Sequence, residues 1–349
     1  MGLLAVGGPR FVEKVDLQRY EITRRLGSGA DYDVRAAIDR ETGTEVALKR
    51  PVPQAVSRKQ HGAIEARTER LLAAYDRAGD AGGLLAPVLG YADTAVHDDF
   101  FGEDLGEPYT VFVQELAPGI PLLGDMMSRF TGVPIGAGQN LFAMFPLIQA
   151  NGAPPFPVHN QLLDLEQSYL EAGFILMDLR PQNVFYQPGA ARIQVIDSGA
   201  LAGINDPAPR GRPPLDVNDA CLELLKFYST PDEPPQDAAG YRDARGVRPI
   251  VNIQQELMEI RRSLLGSGDE VSASAEVILS KIESRSYSDY KPFRTDLAAF
   301  LGAISGRNRG LDEFESARAA WREALDWLRG DYWTRFKFDA DTELAVYAD

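Results

Sequence analysis

Two short apolar runs, FILM (174–177) and VFY (184–186), bracket the polar sequence DLRPQN, Asp178 to Asn183. Apolar stretches of this length, broken by a polar turn, read as buried strands that hold the loop between them rigid. A further run, IQVIDSG, places Asp197 at its end, fourteen residues after Asn183. Taken alone, DLRPQN also reads as a turn capped by Asp and Asn. Taken with Asp197, it offers one carboxylate to accept a hydroxyl proton, and an amide and a second carboxylate to hold Mg²⁺. That set is what phosphoryl transfer requires.

The first third of the chain has a different pattern. RYEITRRLG and DYDVRAAID alternate apolar and polar residues about a glycine turn, which predicts a hairpin. RETGTE signals a second turn leading into VALKRP, a strand that Pro51 ends. Residues 58–76 are rich in helix formers, with Ile64, Leu71, Leu72 and Tyr75 on one stripe. AGGLLAPVLGYAD and PYTVFVQELAPG read as two further strands. Gly27, Ser28 and Gly29 form either a plain turn or a backbone that bulky phosphates can approach. Lys49, flanked by Val46, Ala47 and Leu48, is either a solvated edge residue or a cation beneath that turn.

Beyond Gly119 the pattern turns helical. Residues 120–160 give no clear division, and a helix is predicted over 159–172, ended by Gly173. Further helices are predicted over 216–228, 252–265 and 311–329, with a turn-rich surface loop at 231–240.

Charge and cysteine content exclude several classes. The 36 Lys plus Arg against 51 Asp plus Glu give a net charge of −15. Sequence-independent nucleic-acid binding needs the opposite balance, so no nucleic-acid partner is expected. Cys221 is the sole cysteine, which rules out an intramolecular disulfide and a Cys-based zinc cluster. His61, His97 and His159 show no metal-ligand spacing. The segment MGLLAVGGPR lacks the charge and apolar length of a signal peptide, and Val6 stands where myristoylation of Gly2 wants Ser or Thr. No run approaches a membrane span. A cytoplasmic protein without a membrane partner is the expectation.

From about Arg19 to Tyr228 these parts, in this order, resemble the protein-kinase-like superfamily, in the manner of an atypical Ser/Thr protein kinase. The resemblance implies an α+β, two-lobed fold: a β-rich N-lobe with one αC-type helix over 19–116, and a larger helical C-lobe over 117–349. Residues 1–18 would form an N-terminal extension. LGSGADYDV resembles the glycine-rich loop, with Val34 as its following valine, and VALK resembles the strand-three motif, with Ala47 beside the nucleotide and Lys49 on the α/β-phosphates. FVQEL resembles the hinge, where the backbone of Glu115 and Ala117 would meet adenine. MDLRPQN is similar to the catalytic loop, with Asp178 as base, Arg180 where Lys is usual and Asn183 as metal ligand. IDSG is similar to the metal-binding motif, with Asp197 as ligand. The implied cofactors are ATP and Mg²⁺. On a helical wheel Glu65 lies nearer the apolar stripe than Glu69, so Glu65 is the expected partner of Lys49.

The chain also departs from that pattern. Tyr32 replaces the third loop glycine, and Asp31 and Asp33 put acidic groups where phosphates should sit. Leu176 and Met177 stand in place of the His and Arg before the catalytic Asp, and Ser198 in place of the aromatic after Asp197. The next helix begins 19 to 22 residues after Asp197, at Asp216 or Asp219, leaving a short segment for a peptide platform. Three functions follow: a kinase acting on Ser/Thr of a protein substrate, a small-molecule kinase of the aminoglycoside or choline type, and a pseudokinase scaffold.

Overall fold

The alternating segments of the first third become strands β1 (Tyr20–Ser28), β2 (Tyr32–Asp39) and β3 (Glu45–Pro51). Helix α1 (His61–Ala78) follows, then β4 (Val88–Asp93) and β5 (Thr110–Glu115). All five strands pair antiparallel in one sheet, in the order β1-β2-β3-β5-β4. The computed structural model describes residues 12–118, 120–121, 157–177, 179, 183–187, 190, 192–197, 200–207, 214–226, 253–264, 269–308, 336–339 and 344–347.

The β2–β3 turn is built by Asp39. Its carboxylate accepts from the Glu41 amide, the Thr42 hydroxyl and the Arg19 guanidinium, while Gly43 takes a φ of 71°. That left-handed conformation is costly for a residue with a Cβ. Arg19 above all holds the Asp39 carboxyl well below the usual carboxylate range. Helix α1 starts three residues later than its composition predicts, because residues 53–55 form a 3-10 turn and Lys59 takes a φ of 56°. A left-handed residue interrupts any helical run.

Residues one apart on a strand face opposite sides, and the two sides of this sheet differ. Ala37, Val46, Leu48, Val111 and Val113 pack one side under Phe101, Leu105 and Tyr109 of the 94–109 loop. The loop is closed by Thr94, whose amide donates to the Tyr109 carbonyl at 2.9 Å and whose hydroxyl accepts from the Tyr109 amide at 3.2 Å. The other side carries Lys49.

The chain divides into two compact units, Met1–Ala117 with Arg335–Asp349, and Pro118–Thr334. The sequence reading groups everything after 117 together, whereas the strands β11 (Phe336–Asp339) and β12 (Leu344–Tyr347) cluster with the first unit. Residues 12–17, expected in a separate extension, join that unit as well: Leu17 lies in its core and Lys14 bridges Tyr91.

In the second unit β6 (Ile120–Pro121) precedes α2 (Pro157–Glu171). Four strands follow: β7 (Phe174–Met177), β8 (Val184–Gln187), β9 (Arg192–Val195) and β10 (Ala200–Gly203). They form a three-stranded sheet, β6-β8-β9, and a two-stranded one, β10-β7. Gly173, at φ 91°, ends α2 as its position predicts. Then come α3 (Val217–Lys226), α4 (Ile253–Leu264), α5 (Glu270–Glu283) and α6 (Tyr290–Asn308). Helices α3 and α4 match the predicted ranges closely. Helices α5 and α6 were not anticipated, although Asp269 gives the start of α5 away: its side chain caps the helix by accepting from the Ser272 amide at 2.9 Å. The predicted helix over 311–329 and loop at 231–240 lie outside the described residues. No helix among the described residues is long and apolar enough to cross a membrane.

A buried carboxyl sits among these helices. Glu166 on α2 is 1% exposed and accepts from the hydroxyl of Tyr290 on α6 at 2.7 Å. Burial pushes its pKa well above the carboxylate range, and Glu223 on α3 pushes the same way, while Tyr290 opposes. The Cys221 thiol on α3 is pushed up by the same burial. An acid whose folded pKa is raised contributes stability below its unfolded pKa and loses it as pH climbs through the folded value. Stability of this unit should therefore fall as pH rises above about 4.3, the ordinary Glu value. Glu166→Gln, which mimics the protonated form, should flatten that slope and stabilise the unit at pH 8 by on the order of 1–3 kcal/mol. Denaturant melts of both forms from pH 5 to 9 check this; parallel slopes would contradict it.

Candidate functional site

In the first unit the register places Val34, Lys49 and Phe112 in one cross-strand row, and Ala36, Ala47 and Gln114 in the next. The sheet surface around Lys49 is therefore made of small residues, bordered by Val34 and Phe112. Lys49 is only 5% exposed, and its ammonium lies 5.3 Å from the centre of the Phe112 ring. It is a central-strand lysine, which excludes the solvated-edge reading. At the turn above it the Gly29 amide donates to the Tyr32 carbonyl at 2.9 Å, and Gly27 pairs with Val34, Ser28 with Asp33. A Cβ at Gly27 or Gly29 would meet no atom within 4 Å. Neither glycine has a positive φ, so neither turn geometry nor packing calls for glycine there.

The glutamate assignment needs correction. Glu65 does face the sheet and Glu69 is exposed, as the helical wheel predicts. Its carboxylate, however, accepts from the amide of Thr110 at 3.1 and 3.2 Å and from the Thr110 hydroxyl at 2.7 Å. These bonds cap the first residue of β5, and no ion pair joins Glu65 to Lys49 among the described residues. Tyr32 completes the docking of α1. Its hydroxyl bonds Thr68 Oγ1 at 2.8 Å and its ring stands edge-on to Phe112 at 5.4 Å.

Asp31 and Asp33 do not crowd a phosphate. Asp31 pairs with Arg67 of α1 at 2.7 Å. Asp33, 1% exposed, faces the other side of the sheet with Arg35 at 3.0 Å, Arg25 at 3.3 Å and Arg50 at 3.6 Å. Alternation decides this: Asp33 pairs with Arg50 in register, and Arg50 points away from its neighbour Lys49. At the end of β5, the Glu115 amide donates to the Pro87 carbonyl at 2.8 Å, and Glu115 stands in register with Val46 of β3. Ala117, half-buried, is the last residue before the division between the units.

In the second unit β8 and β9 pair Val184 with Val195, and the Ile196 amide donates to the Asn183 carbonyl at 2.9 Å. That hairpin brings Asn183 and Asp197, both half-buried, to the same end. The Met177–Ala200 pair of β7 and β10 anchors the chain just before the predicted base. Asp178, Arg180 and Ser198 lie outside the described residues; their neighbours Met177 and Leu179 are buried at 7% and 2%. Gln161 on α2 ties the hairpin down by accepting from the Ile193 amide at 3.0 Å. The start of α3 is clamped to the 284–287 turn. Arg285, at φ 51°, pairs with Asp216 at 2.6 Å and Asp219 at 3.0 Å, and Asn218 exchanges hydrogen bonds with the Tyr287 backbone.

Sequence reasoning missed Thr110, Thr68 and Gln114. Gln114 had a signal, a lone amide within the apolar run VFVQE; it is 4% exposed and donates to the Ala86 carbonyl at 2.8 Å. Thr110 had none, because its role depends on where α1 docks. Among the described residues no group of three or more His, Cys, Asp or Glu could hold a metal by itself. Mg²⁺ needs less from protein, since one or two carboxylates suffice when phosphates and water fill the remaining positions. Asn183 and Asp197 fit that demand. Neither protein-family models nor curated proteins yield a match to this chain.

Proposed function

We propose that this chain is a kinase-like phosphotransferase with a two-lobed fold, using ATP and Mg²⁺ to phosphorylate a hydroxyl, foremost Ser/Thr of a protein in the cytoplasm. The observation that carries the reading is the buried ammonium of Lys49 on a surface of alanines, beneath two glycines that the fold itself does not require. Glycines with open space above them leave room for a phosphate to approach the backbone.

In this reading Lys49 meets the α/β-phosphates, Val34 and Ala47 flank the base, and the backbone of Glu115 and Ala117 contacts it. Asn183 and Asp197 would hold Mg²⁺, which supplies charge neutralisation of the transferring phosphoryl group. Asp178 would accept the acceptor's hydroxyl proton as that oxygen bonds the γ-phosphorus and the bond from phosphorus to the β–γ bridging oxygen breaks, releasing ADP, while Arg180 would steady the phosphoryl oxygens. The short stretch from Asp197 to Val217 favours a small hydroxylated acceptor as the alternative substrate. A nucleotide-binding scaffold is the second reading, favoured by Glu65 being engaged by Thr110 rather than Lys49.

Labelled ATP and Mg²⁺ with purified protein, with and without lysate proteins or small aminoglycoside and choline acceptors, separate these readings. Transfer that disappears in Asp178→Ala while the melting curve is unchanged is the expected result. Binding of ATP without transfer to any acceptor would favour the scaffold, and no binding at all would end the nucleotide reading.

A further inference from the structure

The amino-terminal residues 12–17 occupy a seat that looks made for them. The Val15 amide donates to the Tyr91 carbonyl at 2.8 Å and the Tyr91 amide to the Glu13 carbonyl at 3.0 Å, so the segment runs parallel along the outer edge of β4. Leu17 is sunk into the core and Asp16 caps the turn that follows. Gly90 on β4 makes the close approach possible: a Cβ there would lie 2.5 Å from Val15 Cγ1 and 3.1 Å from the Glu13 carbonyl oxygen. At Val12 the segment reaches α1, where the Val12 amide donates to Asp76 Oδ1 at 2.8 Å. Asp76 stands near the carboxyl end of α1, where a negative charge opposes the helix dipole. A hydrogen bond from Val12 gives that unfavourable charge a purpose.

We propose that residues 12–17 are a strap that fixes the last turns of α1 to the sheet, and that unseating it loosens the whole helix. Two strand bonds, one bond to a carboxylate, the buried Leu17 with Val15 packed beside it, and an exposed Lys14–Asp93 pair, 60% and 57% exposed, together offset the entropy of ordering an extended segment. Helix α1 carries Glu65 and Thr68, which hold Thr110 and Tyr32 beside the Lys49 row. Loosening would therefore reach that row.

Hydrogen exchange on the full chain tests it, comparing wild type with Gly90→Ala. The expected result is exchange faster by about tenfold or more in residues 12–17, in residues 61–78 and at the Thr110 amide. Trimming the clashing side chain in Gly90→Ala/Val15→Gly should restore slow exchange in α1. Asp76→Ala, which removes the Val12 acceptor, covers the case in which Gly90→Ala does not fold. Since it also removes a charge opposed to the helix dipole and adds a good helix former, both of which favour α1, faster exchange in the last turn of α1 is expected only through loss of the strap. Exchange that rises in 12–17 while 61–78 and Thr110 keep wild-type rates would overturn the proposal.

Discussion

On the proposed phosphotransferase reading, Asp197→Asn is expected to lower ATP-dependent phosphoryl transfer by about 10³-fold, with the fold unchanged. The substitution keeps the shape of a half-buried side chain and removes the one described carboxylate that stands beside Asn183 at the open end of the β8–β9 hairpin. A hard cation loses most of its hold when its charged ligand becomes neutral, because an amide oxygen offers a dipole in place of a full charge. Roughly 4 kcal/mol of transition-state stabilisation corresponds to that rate loss. Initial rates with labelled ATP across a Mg²⁺ titration, alongside thermal melts, make the measurement. Partial recovery at high Mg²⁺ would fit weakened metal binding. Full activity with an unchanged melt would remove Asp197 from the metal site, and the phosphotransferase reading would lose its principal ligand.

Asp33→Ala should cost about 3–5 kcal/mol in the first unit, the price of leaving a buried cation without its counter-charge. Arg50 is 0% exposed and its ring-stacked guanidinium lies 4.7 Å from the centre of Phe101. Without Asp33 its remaining acid is Glu103, at 3.2 Å but 54% exposed, together with the Glu103 carbonyl at 3.1 Å. Arg25 and Arg35 would also lose the carboxylate they share with Arg50. Asp31→Asn, which loses only a part-exposed pair with Arg67, should cost about 1 kcal/mol or less. Chemical denaturation of the two variants, followed by a probe in the first unit, tests the contrast. Equal effects would mean that Asp33 is not the centre of the arginine cluster. The contrast also bears on nucleotide binding: removing the Asp33 charge should unsettle the sheet instead of relieving repulsion of a phosphate, since that carboxylate faces the opposite side from Lys49.

The strands of the first third could be read from sequence because they rest on local chemistry, whereas the residues around Lys49 left it open between an exposed edge and a buried position until the sheet order was known. Alternation about a glycine turn makes a hairpin wherever it occurs, and Pro51 ends β3 whatever packs on it. The apolar runs around DLRPQN likewise became β7 and β8, and the run before Asp197 became β9. Helix α6 was missed although its buried Tyr290, Phe293, Leu297 and Phe300 recur three and four residues apart on one stripe, a local signal of the kind that marked α1. The partner of Glu65, by contrast, was not legible. The wheel established which way Glu65 points, but whether it meets Lys49 or Thr110 depends on how far α1 slides along the sheet. That position is decided by Thr68 on Tyr32, by Ile64 against Val52, and by Val12 on Asp76. The sequence by itself determined the strands and the carboxylate at the end of β9, since each follows from periodicity within a few residues. Only the tertiary structure decided that Asp33 and Arg50 share the face away from Lys49, that Glu65 caps β5, and that residues 12–17 edge the sheet. Each of those depends on register and docking between segments far apart in the chain, which no local pattern encodes.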